Sequence, residues 1–313
     1  MAGLLAGVHE LQTPATTRDR YGLAENWGRE FVAAAGGGAL PSNTALKTLL
    51  DKVEKAVRPH EEAGGGCVLS LKIDPRQMAA GLWDERLTAV GAALAGRNVV
   101  LILWHEPEDN WAGGIFAAGF NRGRVAVKAG GPFVLVAYCA MAYQWSPGRK
   151  STRDPAIWAL IDADLYLVDV YSGKTYPGDL ILPDHPGFVR WYEHMIAPYP
   201  QRSWGVAERG FAAGADRPAA WAREFDWLAT SDVGRSCTMY LAWLTSGTEK
   251  NAAWLADAPT EAAIAGGLTL ITTPPGFVPA AVAGAVLHSA TGALVADGMQ
   301  RAWVSFVERA HPV

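Results

Sequence analysis

The chain of 313 residues is 50% hydrophobic and 19% charged, and it carries a net charge of −4. This composition is typical of a globular protein with a substantial core and excludes an intrinsically disordered chain. An acidic chain lacks the basic surface that phosphate binding requires, so we expect no nucleic-acid partner. No secretory signal and no run of 18 apolar residues is recognisable, so we expect a soluble protein without a membrane partner, exported by another route if it acts outside a cell.

Eight short apolar runs, each typical of a β-strand, recur at intervals of 27 to 39 residues along the chain. They begin at Leu4, Phe31, Cys67, Asn98, Phe133, Asp164, Ser203 and Ser236. Several runs are apolar almost throughout, as strands buried on both faces must be. Each interval has the length of one strand, one helix and two loops.

Helical patterns fill several of these intervals. Residues 42–57 begin with capping residues and continue with an apolar stripe, and residues 216–229 space Trp221, Phe225 and Leu228 along one helical face. Eight strand-helix units with right-handed crossovers can close on themselves. The sequence therefore predicts an α/β protein, a (β/α)8 TIM barrel, with an open doubly wound sheet as the alternative.

The composition changes after about Ala258. We predict the barrel over residues 1–258 and a short C-terminal extension over residues 259–313, with a hairpin around Thr291-Gly292 and a final helix. No GxGxxG motif follows a strand, so nucleotide binding has little support. Three cysteines without a CxxC spacing are interpreted as buried free thiols.

Chemically active side chains gather where the predicted strands end, which in such a barrel is the face that carries the active site. Strand 4 ends in His105-Glu106-Pro107-Glu108-Asp109, and strand 7 ends in Glu208-Arg209-Gly210. Other strand ends contribute candidate substrate-binding residues, namely His9, Lys72, Asp169, Tyr171 and Trp243.

Carboxylates at the ends of strands 4 and 7 can face each other across the barrel mouth. Most glycosidases use a pair of carboxyl groups for catalysis, and a retaining enzyme needs one as nucleophile and one as an acid that later acts as base. Their protonation must differ at one pH. We expect Arg209 and Tyr171 to keep Glu208 ionised, and an apolar setting among Trp104, Pro107 and Trp145 to keep Glu106 protonated.

The segments SLKID, LILWHEPEDN, VDVYS and WGVAERG, in this order, resemble the β-mannanase-type glycoside hydrolases of family 26. That family belongs to a large clan of retaining (β/α)8 barrels with catalytic glutamates on strands 4 and 7, and the resemblance covers most of residues 67–245. It implies that Glu106, with His105 beside it, is the acid/base and that Glu208 is the nucleophile. It also implies that Tyr171 supports the nucleophile and that Trp243 forms the floor of the subsite that binds the cleaved sugar.

Thirteen tryptophans suggest sugar binding, but most lie in helical patterns and are interpreted as packing residues. Four lie where a sugar ring could stack, namely Trp104, Trp111, Trp145 and Trp243. Glu108 and Asp109 are interpreted as loop or supporting residues.

The sequence favours a retaining, endo-acting glycoside hydrolase that cleaves a polysaccharide or oligosaccharide without a cofactor. The alternative is a non-catalytic carbohydrate-binding or structural barrel of a phage tail or cell-envelope assembly, with a phage-borne enzyme that degrades cell walls as an intermediate. A metal-dependent hydrolase is a third option with little support. HEPED is not HExxH, since position 109 is aspartate, and His9 is not part of an HxH pair, so we predict no metal site.

Overall fold

Eight parallel strands form a nearly closed barrel in the computed structural model, which describes residues 4–10, 12–173, 176–214, 216–244 and 256–272. The strands are β1 (Leu5–His9), β2 (Trp27–Val32), β3 (Gly66–Leu71), β4 (Val99–Leu103), β5 (Leu135–Met141), β6 (Leu165–Ser172), β7 (Trp204–Phe211) and β8 (Cys237–Trp243). Each pairs with its neighbour in the order β1-β8-β7-β6-β5-β4-β3-β2. This arrangement confirms the predicted (β/α)8 barrel and excludes the open doubly wound sheet.

Helices on the outside connect the strands. They are α1 (Pro14–Tyr21), α2 (Leu46–Glu62), α3 (Pro75–Ala79), α4 (Asp84–Leu94), α5 (Gly113–Gly130), α6 (Ala142–Trp145), α7 (Pro155–Trp158), α8 (Pro186–Met195), α9 (Arg217–Thr230), α10 (Asp232–Arg235) and α11 (Ala258–Thr272). Short 3-10 turns lie at Ala35–Gly37, Pro107–Asp109 and Leu182–Asp184. In the described part of the chain, no helix combines the length and the apolar character needed to cross a membrane.

The barrel closes between β1 and β2 through a side chain instead of a backbone ladder. The Asn26 Oδ1 accepts from the Val8 N–H at 2.8 Å, and the Asn26 Nδ2 donates to the Val8 carbonyl at 3.2 Å. A Cβ on Gly7 would lie 2.1 Å from the carbonyl oxygen of Trp27, so only glycine permits this approach. The amide of Asn26 therefore joins the two strands.

Strand β2 begins four residues earlier than the apolar run predicts. The prediction started a strand at Phe31, whereas the strand spans Trp27–Val32. The true strand alternates Trp27, Arg29 and Phe31 on one face with a glycine and a glutamate on the other, so it is not a continuous apolar run. Arg29 consequently lies inside the barrel, and Phe31 lies at the mouth.

Two apolar layers stabilise the fold. The barrel interior is filled by Trp27, Val68, Val100, Ile102, Ala137, Cys139, Leu165, Leu167, Ala207, Met239 and Leu241. A larger cluster packs the strands against the helices and includes Trp158, Trp191 and Trp221. The prediction that these tryptophans are packing residues is confirmed, since each is at most 1% exposed. The three cysteines are buried and free, as predicted.

Helix α11 completes the outer ring between α9 and α1. Gly267 lies against the ring of Phe225 on α9, and Arg20 at the end of α1 forms an ion pair with Glu261. Residues 259–272 therefore belong to the ring of helices, although the predicted extension begins at 259. The rest of that extension, with the predicted hairpin around Thr291-Gly292, lies outside the described residues.

A buried ion pair fastens β7 to α9. The Arg209 Nε donates to Glu224 at 2.8 Å, and both side chains are 0% exposed. Glu224 also accepts from the Leu182 N–H at 2.9 Å and from the Tyr240 hydroxyl. The expectation that Arg209 supports Glu208 is wrong, because adjacent residues of a strand face opposite sides and Arg209 lies on the outer face, paired with Glu224.

We expect Glu224→Ala to lower the free energy of unfolding by about 3–5 kcal/mol, because the buried guanidinium of Arg209 loses its countercharge. Urea unfolding followed by circular dichroism measures this loss. The matched control is Asp84→Ala, which breaks a solvent-exposed pair with Arg122 and should cost about 1 kcal/mol or less. Equal losses in the two variants would show that Glu224 is not a buried structural anchor.

Candidate active site

The chain leaves β4 through two residues in the left-handed region. Trp104 has φ 69° and Glu106 has φ 49°, although neither is glycine, and each such residue costs about 1–3 kcal/mol. The Trp104 N–H donates to the Leu71 carbonyl at 2.9 Å, and the Glu106 N–H donates to the Cys139 carbonyl at 2.9 Å. Strands β3 and β5 thus hold both ends of this exit and direct Glu106 to the barrel mouth.

Glu108 anchors the 3-10 turn that follows Glu106. Its buried carboxylate accepts from the Tyr138 hydroxyl at 2.5 Å, the Trp145 Nε1 at 2.9 Å and the Met141 N–H at 3.3 Å. Burial raises the pKa of Glu108 to about 7, while the donors from Tyr138 and Trp145 oppose the rise. Glu108 has the contacts of a supporting residue, in line with its interpretation from the sequence.

Trp145 does not face the cleft. It is 0% exposed, and its ring N–H is committed to Glu108. The prediction that Trp145 stacks on a sugar or lines Glu106 is therefore wrong for this structure. The residue comes from the short helix α6, which tucks the ring beneath the β4 exit.

Glu208 on β7 points into the barrel and is 5% exposed. Its Oε1 accepts from the Arg29 Nε at 3.1 Å, and its Oε2 accepts from the Tyr171 hydroxyl. The expected contact with Tyr171 is present. The cation beside Glu208, however, is Arg29 from β2 instead of Arg209.

Arg29 is fully buried beneath the site. Its Nη1 donates to the Ser70 hydroxyl at 2.6 Å, and its Nη2 lies 4.0 Å from the Cys139 sulfur. A buried charge needs a partner, which Glu208 supplies. The signal that could have identified Arg29 is its place between Trp27 and Phe31 on the same side of a strand.

Asp169 is a third buried carboxyl group in this space. Its Cα lies opposite that of Glu208 in the β6-β7 pairing, and its Oδ2 accepts from the Cys139 thiol at 3.3 Å. Burial, followed by the negative charge of Glu208, raises the pKa of Asp169 well above its usual value. Burial therefore favours the protonated form of Asp169.

The two glutamates have different electrostatic surroundings. Burial raises the pKa of Glu106 to about 8, and the negative charges of Glu208 and Glu108 add to the rise. Burial also raises the pKa of Glu208, but Arg29 and the Tyr171 hydroxyl oppose it. The surroundings thus favour the protonated form of Glu106, while Arg29 and Tyr171 favour the ionised form of Glu208. This pairing of an acid with a carboxylate suits acid catalysis combined with nucleophilic attack.

One side of the mouth is an aromatic platform formed by His9, Phe31, His105 and Trp243. The His9 and Trp243 rings stack with centroids 4.4 Å apart, and Phe31 meets His105 edge-on at 4.8 Å. Burial and the charge of Arg29 lower the pKa of both histidines to about 3, so both are neutral. Phe31 was not predicted as a site residue, although it is 40% exposed here.

A second aromatic group, the tryptophan wall, is formed by Trp104 and Trp111, whose rings meet edge-on at 5.2 Å. Lys72 lies over the Trp104 ring at 5.0 Å, and Arg76 lies over the Trp111 ring at 4.9 Å. Trp104 is only 5% exposed, so Trp111, which is half-buried, offers more of its surface to the cleft. Among the residues that the structure covers, no three His, Cys, Asp or Glu side chains are arranged to hold a metal ion.

The fold is shared with glycoside hydrolases. No protein-family model and no curated protein matches the chain. A GH5_18 enzyme from Streptomyces cattleya, solved in complex with GlcNAc, aligns with a TM-score of 0.59 at 13% identity, over 85% of this chain and 80% of that chain. The endo-β-1,4-mannanase from Thermotoga petrophila aligns with a TM-score of 0.58 at 12% identity, over 88% of this chain and 78% of that chain.

A GH26 endo-β-1,4-mannanase catalytic domain from Bacillus sp. JAMB-750 also aligns, with a TM-score of 0.51 at 12% identity over 77% of each chain. Family 26 is thus one of several glycoside hydrolase families with this barrel. At such identities the likeness establishes the fold and leaves the individual family open.

We expect Glu106→Gln to stabilise the protein more at pH 8 than at pH 5. In the folded protein Glu106 keeps its proton up to about pH 8, whereas in the unfolded chain it ionises near the ordinary pKa of a glutamate. Between these two pKa values, Glu106 therefore lowers the free energy of unfolding as the pH rises. The gain should grow by at least about 1 kcal/mol over that interval. Denaturant unfolding at both pH values measures it, with Glu193→Gln on the exposed face of α8 as control. A gain independent of pH would contradict the raised pKa of Glu106.

We expect Arg29→Met to raise the pKa of Glu208 by about 1–3 units, because the carboxylate loses the buried cation that favours its ionised form. Titration of protein labelled with ¹³C at the glutamate carboxyls, with the signal assigned through Glu208→Gln, measures the shift. Arg209→Met is the matched control, since that guanidinium pairs with Glu224. An unchanged Glu208 titration in Arg29→Met would mean that Arg29 does not set its charge.

Proposed function

We propose that this chain is a retaining glycoside hydrolase that cleaves within a polysaccharide, with Glu106 as acid/base and Glu208 as nucleophile. The observation that carries the proposal is the division of protonation between two glutamates at the mouth of the barrel. Burial favours the protonated form of Glu106, while Arg29 and Tyr171 favour the ionised form of Glu208. A retaining mechanism requires this division.

The reaction would proceed in two displacements. In the first, a carboxylate oxygen of Glu208 attacks the anomeric carbon while Glu106 donates its proton to the glycosidic oxygen, which leaves as an alcohol. A glycosyl ester on Glu208 results. In the second, Glu106, now ionised, takes a proton from water, and the water oxygen attacks the anomeric carbon and releases Glu208.

The proposed roles of the supporting residues follow from their contacts. Arg29 and the Tyr171 hydroxyl hold one carboxylate oxygen each and so orient Glu208. Trp243, stacked on His9, offers a floor for the sugar at the cleavage point, with His105 beside it. Asp169, Lys72, Trp104 and Trp111 complete the substrate cleft. An endo mode of action is supported by the two mannanases that share the barrel, whose names describe endo-acting enzymes.

Incubation with mannans, other plant glycans and bacterial cell-wall glycans tests the activity. Glu208→Gln should abolish cleavage, and Glu106→Gln should lower it by about 10²–10⁴-fold. Substrates with a good leaving group, which need no acid, should be less affected by Glu106→Gln. Glu193→Gln, on the outer face of α8, is the control and should retain activity.

A 2-fluoro glycoside with an activated leaving group should attach one sugar covalently to the protein. Mass spectrometry of the intact protein should detect this adduct, and peptide mapping should locate it on the peptide that contains Glu208. Glycan binding without release of product, and without this adduct, would instead indicate the non-catalytic barrel. Cleavage that persists in Glu208→Gln would contradict the assigned nucleophile.

A further inference from the structure

Lys72 places a positive charge at the edge of the candidate substrate cleft. It follows β3 and lies two residues after Ser70, whose hydroxyl contacts Arg29 inside the barrel. Alternate residues of a strand share a face, so Lys72 belongs to the barrel side of the chain. Its Nζ lies 5.0 Å from the centroid of the Trp104 ring, which places the ammonium on the tryptophan wall.

This ammonium has no ionic partner among the described residues. Asp74, two positions further along, is held by Arg76 through contacts of 3.1 and 2.7 Å. Glu208 is held by Arg29. The neighbouring His105 is neutral, and the charge of Lys72 contributes to the lowered pKa of that imidazole. The cation therefore depends on water, or on a ligand, for its compensation.

A sugar that packs against the tryptophan wall would displace water from Lys72. Removing water from an uncompensated ammonium is costly, and a neutral hydroxyl restores only part of the lost interaction. A carboxylate restores it with a charge-assisted hydrogen bond, which is about twice as strong as a neutral one.

We propose that Lys72 receives the carboxylate of an acidic sugar, so that the substrate is a glycan that carries carboxyl groups. This inference rests on the proposed glycoside hydrolase function and names the class of substrate for that site. A uronic acid and a sugar with a lactyl ether present the same carboxylate chemistry, and the experiment below separates them.

The test measures binding by calorimetry to the full-length Glu208→Gln protein, with matched pairs of oligosaccharides that differ only in carboxylation. One pair is a cello-oligosaccharide and its C6-oxidised form, which carries glucuronate. The other is a chito-oligosaccharide and the GlcNAc–MurNAc oligomer, which carries lactyl groups. In at least one pair the acidic member should bind about tenfold more tightly, which is about 1.4 kcal/mol. The pair in which the preference occurs identifies the source of the carboxylate.

Adding Lys72→Met to this protein should bring the ratio of the two affinities to about one, whereas Lys72→Arg should preserve the preference. Lys55→Met, on the exposed face of α2, removes the same charge elsewhere and is the control. Equal binding of acidic and neutral members would overturn the inference while leaving the hydrolase proposal intact, as would a preference that survives Lys72→Met. If the wild-type chain neither binds nor cleaves any glycan, both proposals fail.

Discussion

A single buried cation among three buried carboxyl groups governs the chemistry of this barrel. Arg29 lies beneath Glu208, and Glu106 and Asp169 share the same poorly hydrated space. Three carboxylates cannot all be ionised there, because one guanidinium compensates only one of them. The contacts of Arg29 and Tyr171 favour the ionised form of Glu208, while burial favours the protonated forms of Glu106 and Asp169. In the proposed mechanism, the difference between acid and nucleophile therefore depends on where strand β2 places one arginine.

The barrel and the two glutamates at its mouth could be predicted from the sequence, whereas the cation could not. Continuous apolar runs reveal strands that are buried on both faces, and most strands of this barrel are of that kind. Strand β2 departs from this pattern, since it carries Arg29 and a glutamate between aromatic residues. Apolar runs therefore do not reveal Arg29, whereas Arg209 adjoins Glu208 in sequence. The alternation of side chains along β7 nevertheless places these two neighbours on opposite faces of the strand.

The aromatic residues show a second limit of sequence reasoning. Whether a tryptophan packs or faces a cleft depends on the loop that carries it, and residue type alone does not decide it. Trp145 ends the short helix α6 after β5, and its ring N–H donates inward to Glu108. Phe31 was not predicted at the mouth, because the apolar run places it at the start of a strand instead of near the end of β2. It lies exposed beside His105. The left-handed backbone of Trp104 and Glu106 could not be predicted from the sequence either, because neither is a residue type that favours this conformation.

The amide of Asn26 makes the junction of β1 and β2 unlike the other seams of the barrel. Each other seam is secured by a backbone ladder, whereas this one is held by side chains. The Asn26 amide bonds to Val8, the His9 Nδ1 accepts from the Arg29 N–H at 3.3 Å, and Gly7 lies against Trp27. His9 and Phe31 project from the two strands that meet there. The seam that Asn26 holds together therefore also sets the positions of His9 and Phe31, the two rings of the aromatic platform that β1 and β2 carry, relative to each other.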